Sequence, residues 1–238
     1  MEHSSSRTKK PRSLRGAFIT FEGTEGSGKS TQCQRLARSL RAQGYQVHQT
    51  REPGGTPLAE TIRKLLLTSS NSKRPTESIT PVCESMLIFA ARAQHMAHVI
   101  QPALDKGMVV LCDRFFDSTL AYQGHARGLK KTFLYEVQQF VTNGLQPHLT
   151  FFLDLPIQDG LARRQQSNKQ DRLDQESLGF HQRVRRGFLA LAKQAPKRIQ
   201  KVDARQSPQA LALHITSVAE QLLHNTKSLR LIRSSQKM

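Results

Sequence analysis

Five short apolar runs are spaced along the chain. Those at 17–22, 108–112 and 149–155 are nearly continuous, which is typical of strands buried on both faces of a parallel sheet. Two weaker runs, at 45–50 and 199–203, are interrupted by polar residues. We therefore predict a parallel sheet of five strands.

Between these runs, apolar residues recur at the spacing of an amphipathic helix. Gly44 and Gly144 follow two of the helical segments and predict their ends, while Ser207 and Pro208 predict the cap and first residue of the last helix. Alternating strands and helices predict an α/β domain with a three-layer αβα arrangement. The predicted helices span 31–43, 58–67, 82–99, 132–143, a charged stretch at 157–194 that is broken near 167–171, and 207–223.

Residues 23–30 read Gly-Thr-Glu-Gly-Ser-Gly-Lys-Ser and fit the pattern G-x-x-x-x-G-K-[ST]. They stand between the first predicted strand and the first predicted helix, as a phosphate-binding loop requires. The glycines let the backbone turn so that successive N–H groups face an anion. Lys29 then reaches the β- and γ-phosphates and the Ser30 hydroxyl binds Mg²⁺, so the sequence predicts a nucleotide site and the P-loop NTPase fold.

Charged residues follow two further predicted strands, at the sheet edge where parallel sheets bind ligands. Arg51 precedes a Pro-Gly-Gly turn at 53–55 and is a candidate for a second phosphate, although a solvated arginine would also fit there. Asp113 and Arg114 follow the strand at 108–112. The carboxylate suits Mg²⁺ and the guanidinium suits a phosphate oxygen, while a structural ion pair is the alternative.

Two segments carry side chains that suit a nucleotide base. Phe89 and Arg92 lie one turn apart on the predicted helix at 82–99, although Phe89 by position alone is a core residue. Residues 117–124 place hydroxyls, Tyr122 and Gln123 close together. The amide of Gln123 can read a base edge by donating or by accepting.

The break in the charged helical stretch is crowded by Arg163, Arg164, Lys169 and Arg172. A run of charge is commonly a solvated surface. A cationic hinge between two helices also suits a lid that closes over a transferring phosphoryl group and excludes water. We therefore predict a short helical lid at residues 163–174.

The formal net charge is +18, and part of it lies at the chain ends. Residues 1–15 have the composition of a basic disordered arm and residues 224–238 that of a basic tail, which leaves a predicted catalytic domain at 16–223. The charge attracts polyanions, but no recognisable RNA- or DNA-binding motif accompanies it. Specific nucleic-acid binding is therefore not expected.

Cysteine usage and hydropathy bear on location. Cys33, Cys83 and Cys112 are widely spaced and form no CxxC pair, which favours reduced cysteines in a cytoplasmic protein, with Cys112 in the core. The apolar runs are too short to span a bilayer, and the first residues lack the apolar region of a secretory signal. A cytoplasmic protein without a membrane partner is the expectation.

Together these segments resemble the bacterial thymidylate kinases (dTMP kinases), a family of P-loop nucleoside monophosphate kinases. The resemblance implies transfer of the γ-phosphoryl group of ATP to dTMP, giving dTDP and ADP in dTTP biosynthesis, with Mg²⁺. It also implies a homodimer. It extends over about 16–223 and rests on segments that agree in order, namely 21–31, 51–56, 89–94, 113–115 with 118–124, and 171–172 with 175–176.

The resemblance assigns donor-side roles to individual residues. Ser30 and Asp113 would support the metal ion. Lys29, Arg114, Arg163 and Arg164 would be the catalytic cations. The ATP phosphates would be held by Gly23, Thr24, Glu25, Gly26, Ser27, Gly28, Lys29, Ser30 and Thr31.

It assigns acceptor-side roles as well. Glu25 would contact the 3′-hydroxyl side of the dTMP sugar, and Tyr122 would lie under the sugar and disfavour a 2′-hydroxyl. Arg92 and Gln123 would read the thymine edge. The full set for dTMP is Glu25, with Arg51 and Arg114 on the acceptor phosphate, Phe89 near the base face, and Arg92, Ser118, Tyr122 and Gln123.

Two departures from the family pattern qualify these roles. One branch of the family carries Arg directly after the acidic loop residue, where this chain has Gly26, so the chain resembles the branch that takes its catalytic arginine from the lid. The stacking aromatic often precedes the base-reading arginine by four residues, whereas Phe89 precedes Arg92 by three and Ile88 holds the other position. The alternative functions are a kinase for another nucleotide, such as dUMP or a deoxynucleoside, and a nucleic-acid-stimulated P-loop ATPase.

Overall fold

The computed structural model describes residues 16–68, 78–166 and 171–235. The predicted arm at 1–15 and the lid segment 167–170, which includes Lys169, lie outside the described residues, as do 69–77 in the predicted polar loop.

All five predicted strands are present and pair in parallel, in the order β2-β3-β1-β4-β5. The central strand β1 continues directly into the phosphate-loop sequence. Its register against β3 places Phe21 opposite Asp113, so the ends of these strands lie side by side. The strands are β1 Ala17–Glu22, β2 Val47–Arg51, β3 Val109–Asp113, β4 Leu149–Asp154 and β5 Ile199–Asp203.

Helices cover both faces of the sheet. Two short segments, Met96–Ile100 and Leu120–Ala126, are π-helical. The α-helices are α1 Lys29–Ala42, α2 Pro57–Leu67, α3 Pro81–His95, α4 Gln101–Asp105, α5 Phe116–Thr119, α6 Lys131–Thr142, α7 Ile157–Gln166, α8 Leu178–Gln194 and α9 Pro208–Ser235.

The core is divided into two layers by the sheet, because successive strand residues point to opposite faces. On β1, Phe18 joins the layer that includes α3 and α8, while Ile19 and Phe21 are in the layer formed with α1 and α9. Strands buried on both sides are the reason for the continuous apolar runs. The predicted three-layer αβα architecture and P-loop NTPase fold are confirmed.

Helix starts follow from side-chain caps in the sequence. The Thr56 and Thr80 hydroxyls accept from Ala59 N at 3.2 Å and Cys83 N at 3.3 Å, and each is followed by Pro at the first helical position. Ser207 caps α9 as predicted, with its hydroxyl 3.2 Å from Ala210 N. These caps define the first residues of α2, α3 and α9.

Several segments differ from the prediction, among them α4, which was not predicted. Residues 116–126, which no helical spacing singled out, form α5 and the π-helical segment that follows it. The predicted helix at 82–99 changes at Met96 into a π-helical turn. The last helix continues to Ser235 instead of ending at 223, so most of the predicted basic tail is helical in its backbone.

Cys112 and Cys33 are buried, as expected for core cysteines, whereas Cys83 is exposed, and all three are free. Within 16–68, 78–166 and 171–235, no helix has the length and hydropathy needed to cross a membrane.

Candidate active site

The loop at 23–30 joins β1 to α1 at the carboxyl edge of the sheet. Gly23, Gly26 and Gly28 have φ values of 146°, 71° and 90°, which L side chains rarely adopt. Every glycine of the motif is therefore required by the backbone that it forms, and the loop continues into the N-terminus of α1, where N–H groups favour an anion.

Lys29 is buried, and its ammonium group donates to Thr24 O at 2.7 Å and to Ser27 Oγ at 3.3 Å. Burial lowers the pKa of Lys29 to about 8, with a further lowering from nearby Arg114 that Glu25 and Asp113 partly offset. A nucleotide phosphate at this position would supply the negative charge that favours the protonated form.

Ser30 and Asp113 meet at the end of β3, where the Ser30 hydroxyl donates to the Asp113 carboxylate. A hydroxyl and a carboxylate beside a phosphate loop are the hard oxygen ligands that Mg²⁺ uses together with phosphate oxygens. Across the described residues no group of three or more His, Cys, Asp or Glu forms a metal cage. The Ser30 hydroxyl and the Asp113 carboxylate by themselves fit an ion that would share its remaining ligands with a bound nucleotide.

Arg114 links the phosphate loop to the neighbouring helices. It has a φ of 73°, unusual for an arginine, and its guanidinium donates to Gly23 O at 3.0 Å, to Ser118 Oγ at 3.1 Å and to the Glu25 carboxylate. The Tyr122 hydroxyl donates to the other Glu25 oxygen at 2.8 Å. Although burial raises the pKa of Glu25, Arg114 and Lys29 outweigh it and hold that pKa near about 2, so Glu25 is ionised.

Glu22 lies behind Arg114 and is fully buried. Its carboxyl group accepts from Phe115 N at 2.7 Å and from Ser118 Oγ at 2.5 Å. Burial, assisted by Asp117, raises the pKa of Glu22 to about 8. These bonds fix the backbone at Phe115, directly after Arg114, and so help to hold Arg114 at its positive φ.

Arg51 lies at the end of β2 with 54% of its side chain exposed, and its guanidinium pairs with Glu60 at 2.9 Å. Sequence analysis missed a second arginine, Arg63 on α2, which donates to Pro53 O at 3.0 Å. Burial, together with Arg51 and Arg114, lowers the pKa of Arg63. Arg63 therefore lies near the guanidinium groups of Arg51 and Arg114, an arrangement that would favour a bound anion. The only feature of the sequence that could have identified Arg63 is its position on α2, the helix that follows the turn after Arg51.

Arg92 is 2% exposed and is held by three acceptors. It donates to Glu52 Oε2 at 2.7 Å, to Gln138 Oε1 at 3.0 Å and to Thr119 Oγ1 at 3.0 Å. The opposite Glu52 oxygen lies 3.1 Å from His95 Nδ1. Sequence analysis identified Arg92 but none of these buried partners, which come from other elements.

A cavity opens beside the loop and is lined by residues from most of the predicted base-reading segments. Arg92, Arg114, Ser118, Tyr122 and Gln123 all line it. Phe89 does not; it is 2% exposed in the core, and Ile88 lines the cavity instead. The core position of Phe89 does not support its predicted place at a base face, and Ile88, four residues before Arg92, is the residue of this pair that lines the cavity. Further lining residues that sequence analysis did not select include Glu52, Leu66, Leu67, Glu84 and Thr119.

Helix α7 places both candidate arginines of the predicted lid near the loop. Arg163 Nη1 lies 3.5 Å from Gly26 O, and Arg163 is exposed. Arg164 donates to Asp174 at 2.9 Å and to Asp171 at 3.4 Å, and it helps to lower the pKa of Glu25. Both cations are thus within the field of the phosphate loop.

Helix α7 packs directly on the loop through a pair of glycines. A Cβ on Gly26 would lie 2.1 Å from Gly160 O, and a Cβ on Gly160 would lie 2.4 Å from Glu25 O. No real Cβ contact is so short. The helix that carries Arg163 and Arg164 therefore occupies the space that a side chain at position 26 would need.

A phosphate loop, a carboxylate and hydroxyl at its edge, and a neighbouring cavity lined by several arginines are the features of a P-loop phosphotransferase. A model of the family described as thymidylate kinase matches residues 21–215. The chain belongs to the thymidylate kinase family.

Individual relatives support the same assignment. Thymidylate kinases of Pseudomonas fluorescens and Geobacter sulfurreducens are 49% and 47% identical to the chain over 215 residues each, covering 90% and 88% of it and 100% and 97% of their own lengths. The crystal structure of thymidylate kinase from Ehrlichia chaffeensis superposes with a TM-score of 0.67 at 32% identity, covering 86% of this chain and 98% of that one.

Proposed function

We propose that the cavity beside the phosphate loop is the dTMP site of this chain and that residues 23–30 bind the phosphates of ATP. As a member of the thymidylate kinase family, the chain phosphorylates dTMP to dTDP with ATP as the donor, a step in dTTP synthesis. One observation carries the site assignment. Arg114, anchored on the loop, lines the same cavity as Arg92 and Gln123, so one ligand can present a phosphate to the first and a base to the others.

On the donor side, Lys29 and the loop N–H groups would bind the β- and γ-phosphates. Mg²⁺ would be held by Ser30 and Asp113, and when bound it neutralises charge on the phosphate oxygens. The Lys29 ammonium group is buried, so the low local dielectric would strengthen its attraction to a phosphate. Phosphoryl transfer then needs alignment and charge neutralisation more than a strong base.

On the acceptor side, Arg114 would hold the dTMP phosphate together with Arg51 and Arg63. The exposed pairing of Arg51 with Glu60 is easily exchanged for a phosphate. Glu25 and Tyr122, joined by a hydrogen bond of 2.8 Å, would lie at the sugar, and Tyr122 would disfavour a 2′-hydroxyl. Ser118 steadies Arg114, and Arg92 and Gln123 would face the base edge.

Steady-state phosphorylation of a panel of monophosphates tests the assignment. With ATP and Mg²⁺, dTMP is expected to have the highest kcat/KM among dTMP, dUMP, dCMP and dGMP. Equal values across the panel would contradict a dTMP site. Tight DNA or RNA binding at physiological salt without dTMP turnover would favour the nucleic-acid alternative.

Replacing the lid arginines separately, as Arg163→Gln and Arg164→Gln, is expected to lower kcat by at least about tenfold while changing the KM for dTMP much less. A lid cation contributes mainly when charge develops on the transferring group. The Arg164 variant should also unfold at lower temperature, because Asp174 is 3% exposed and loses its partner. Exposed Arg186 on α8 provides the control Arg186→Gln. Unchanged kcat in both lid variants would move the catalytic role to another cation.

We also propose a cytoplasmic homodimer. Large apolar side chains are exposed on three neighbouring helices. They are Leu58 and Leu65 on α2, Val82 and Met86 on α3, and Phe140, itself 88% exposed, on α6. Because α3 packs against both α2 and α6, these residues belong to neighbouring elements. Light scattering should give twice the mass of one chain, and the mass of a single chain would contradict the proposal.

A further inference from the structure

Glu84, which no prediction from the sequence included, collects three donors beside the base end of the cavity. It lies in the first turn of α3 and is 2% exposed. Gln123 Nε2 donates to its Oε1 at 2.8 Å, Arg127 donates to both oxygens at 3.2 Å, and Arg172 donates to Oε2. A buried carboxylate with this many donors is a strong constraint on each of them.

The first consequence concerns the orientation of the Gln123 amide. Burial raises the pKa of Glu84, but hydrogen bonds from Arg172, Arg127 and Gln123 outweigh it, and the net direction is downward. Glu84 is therefore ionised and only accepts. The end of the Gln123 amide that faces it must then be the NH₂ group, whichever way the amide is drawn. Oε1 remains as the acceptor of Gln123.

The second consequence concerns the ligand. Gln123, Arg92 and Glu84 line one cavity. An acceptor at Gln123 complements a pyrimidine that carries N–H at ring position 3, as in thymine and uracil. A cytosine ring presents a lone pair at that position, so two acceptors would oppose each other in a buried site.

Glu84, which binds Gln123, also binds Arg172 of the predicted lid segment 163–174. Arg172 donates from its Nε to Leu66 O at 2.8 Å and from its backbone N–H to Leu67 O at 3.1 Å. Its remaining bond is to Glu84. The carboxylate that orients Gln123 thus also contributes to docking the lid across the cavity.

We propose that Glu84 is a positioning residue that sets base selectivity by holding the Gln123 amide with its oxygen available to the base, which favours 2,4-dioxopyrimidine monophosphates over 4-aminopyrimidine monophosphates. This inference rests on the proposed function, because it places a pyrimidine against Gln123. Glu84 acts through Gln123 and need not touch the nucleotide.

The test compares kcat/KM for dTMP, dUMP and dCMP in the wild type and in Glu84→Gln. A neutral amide at position 84 lets Gln123 turn over, so the dTMP-to-dCMP ratio should fall by about 10- to 100-fold, the effect of one mismatched hydrogen-bonding edge. The dUMP-to-dTMP ratio should stay constant because both bases present the same edge. The matched control is Glu176→Gln, which alters a carboxylate that also binds Arg127, at 2.5 Å, and it should keep the wild-type ratio.

A second variant covers the case in which Glu84→Gln does not fold. The exchange Glu84→Gln with Gln123→Glu keeps one carboxylate and one amide, and it still presents an acceptor to the base. It should retain the preference for dTMP over dCMP, and its loss would overturn the proposal. An unchanged dTMP-to-dCMP ratio in folded Glu84→Gln would also overturn it, whereas absence of dTMP turnover in the wild type would instead remove the proposed function.

Discussion

Replacing Lys29 with Ala is expected to lower kcat by about 100- to 1,000-fold, the cost of losing one preorganised charge at a transferring phosphoryl group. The ammonium group is buried and already directed within the loop by Thr24 O and Ser27 Oγ. No solvated lysine can replace it, because the position is buried.

The measurement is steady-state turnover with saturating ATP and dTMP, with Lys106→Ala as the control on an exposed lysine far from the ligand edge of the sheet. In the wild type the apparent KM for ATP should rise as the pH passes above about 8, because the free enzyme then loses the Lys29 proton that a bound phosphate favours. Near-normal turnover in Lys29→Ala would mean that the loop does not act on the γ-phosphate.

Arg92→Met is expected to lower the free energy of unfolding by about 3–5 kcal/mol, because it leaves Glu52 as a buried charge without its cation. The guanidinium also packs on aromatic rings, with its carbon 4.9 Å from the Phe115 ring centre. The KM for dTMP should rise in the same variant, since Arg92 lines the base end of the cavity.

Chemical denaturation measures the loss in free energy of unfolding. Its dependence on pH shows whether the loss comes from the pair of Arg92 with Glu52. Arg92 lowers the pKa of Glu52 against the effect of burial, so in the wild type the pair stabilises the fold above the ordinary carboxyl pKa and this contribution is lost as the pH falls below it. The double variant Arg92→Met with Glu52→Gln should recover part of the stability. The control Arg205→Met removes the exposed pair with Asp203 and should leave stability unchanged. A similar small effect at Arg92 would contradict a structural role for the buried pair.

The sequence predicted those parts of the fold and site that local pattern determines. Strands buried on both faces appear as continuous apolar runs, and the loop at 23–30 must use glycine where φ is positive. Because parallel strands end at one edge, Asp113 and Arg114 could be placed beside the loop from their position alone.

Other features depend on how distant elements meet. Glu84 carries no periodic or motif signal, and Glu52 lies in a family segment that did not reveal its role. Each becomes informative only when the fold brings it against a distant partner, Arg92 for Glu52 and Gln123 for Glu84. Whether Ile88 or Phe89 lines the cavity depends on how α3 is rotated about its axis. The helical spacing of the sequence does not determine that rotation to within one residue. The helical form of 116–126 is set by packing against α8, which overrides weak local preferences.

The glycine pair at 26 and 160 restricts the evolutionary routes open to this enzyme. An arginine cannot be added at position 26 by a single substitution, because the carbonyl of residue 160 fills the space of its first carbon. Helix α7, which carries Arg163 and Arg164, would have to shift to admit that side chain. Given the role proposed above for Arg163 and Arg164, a change from a lid arginine to a loop arginine would require compensating changes in α7.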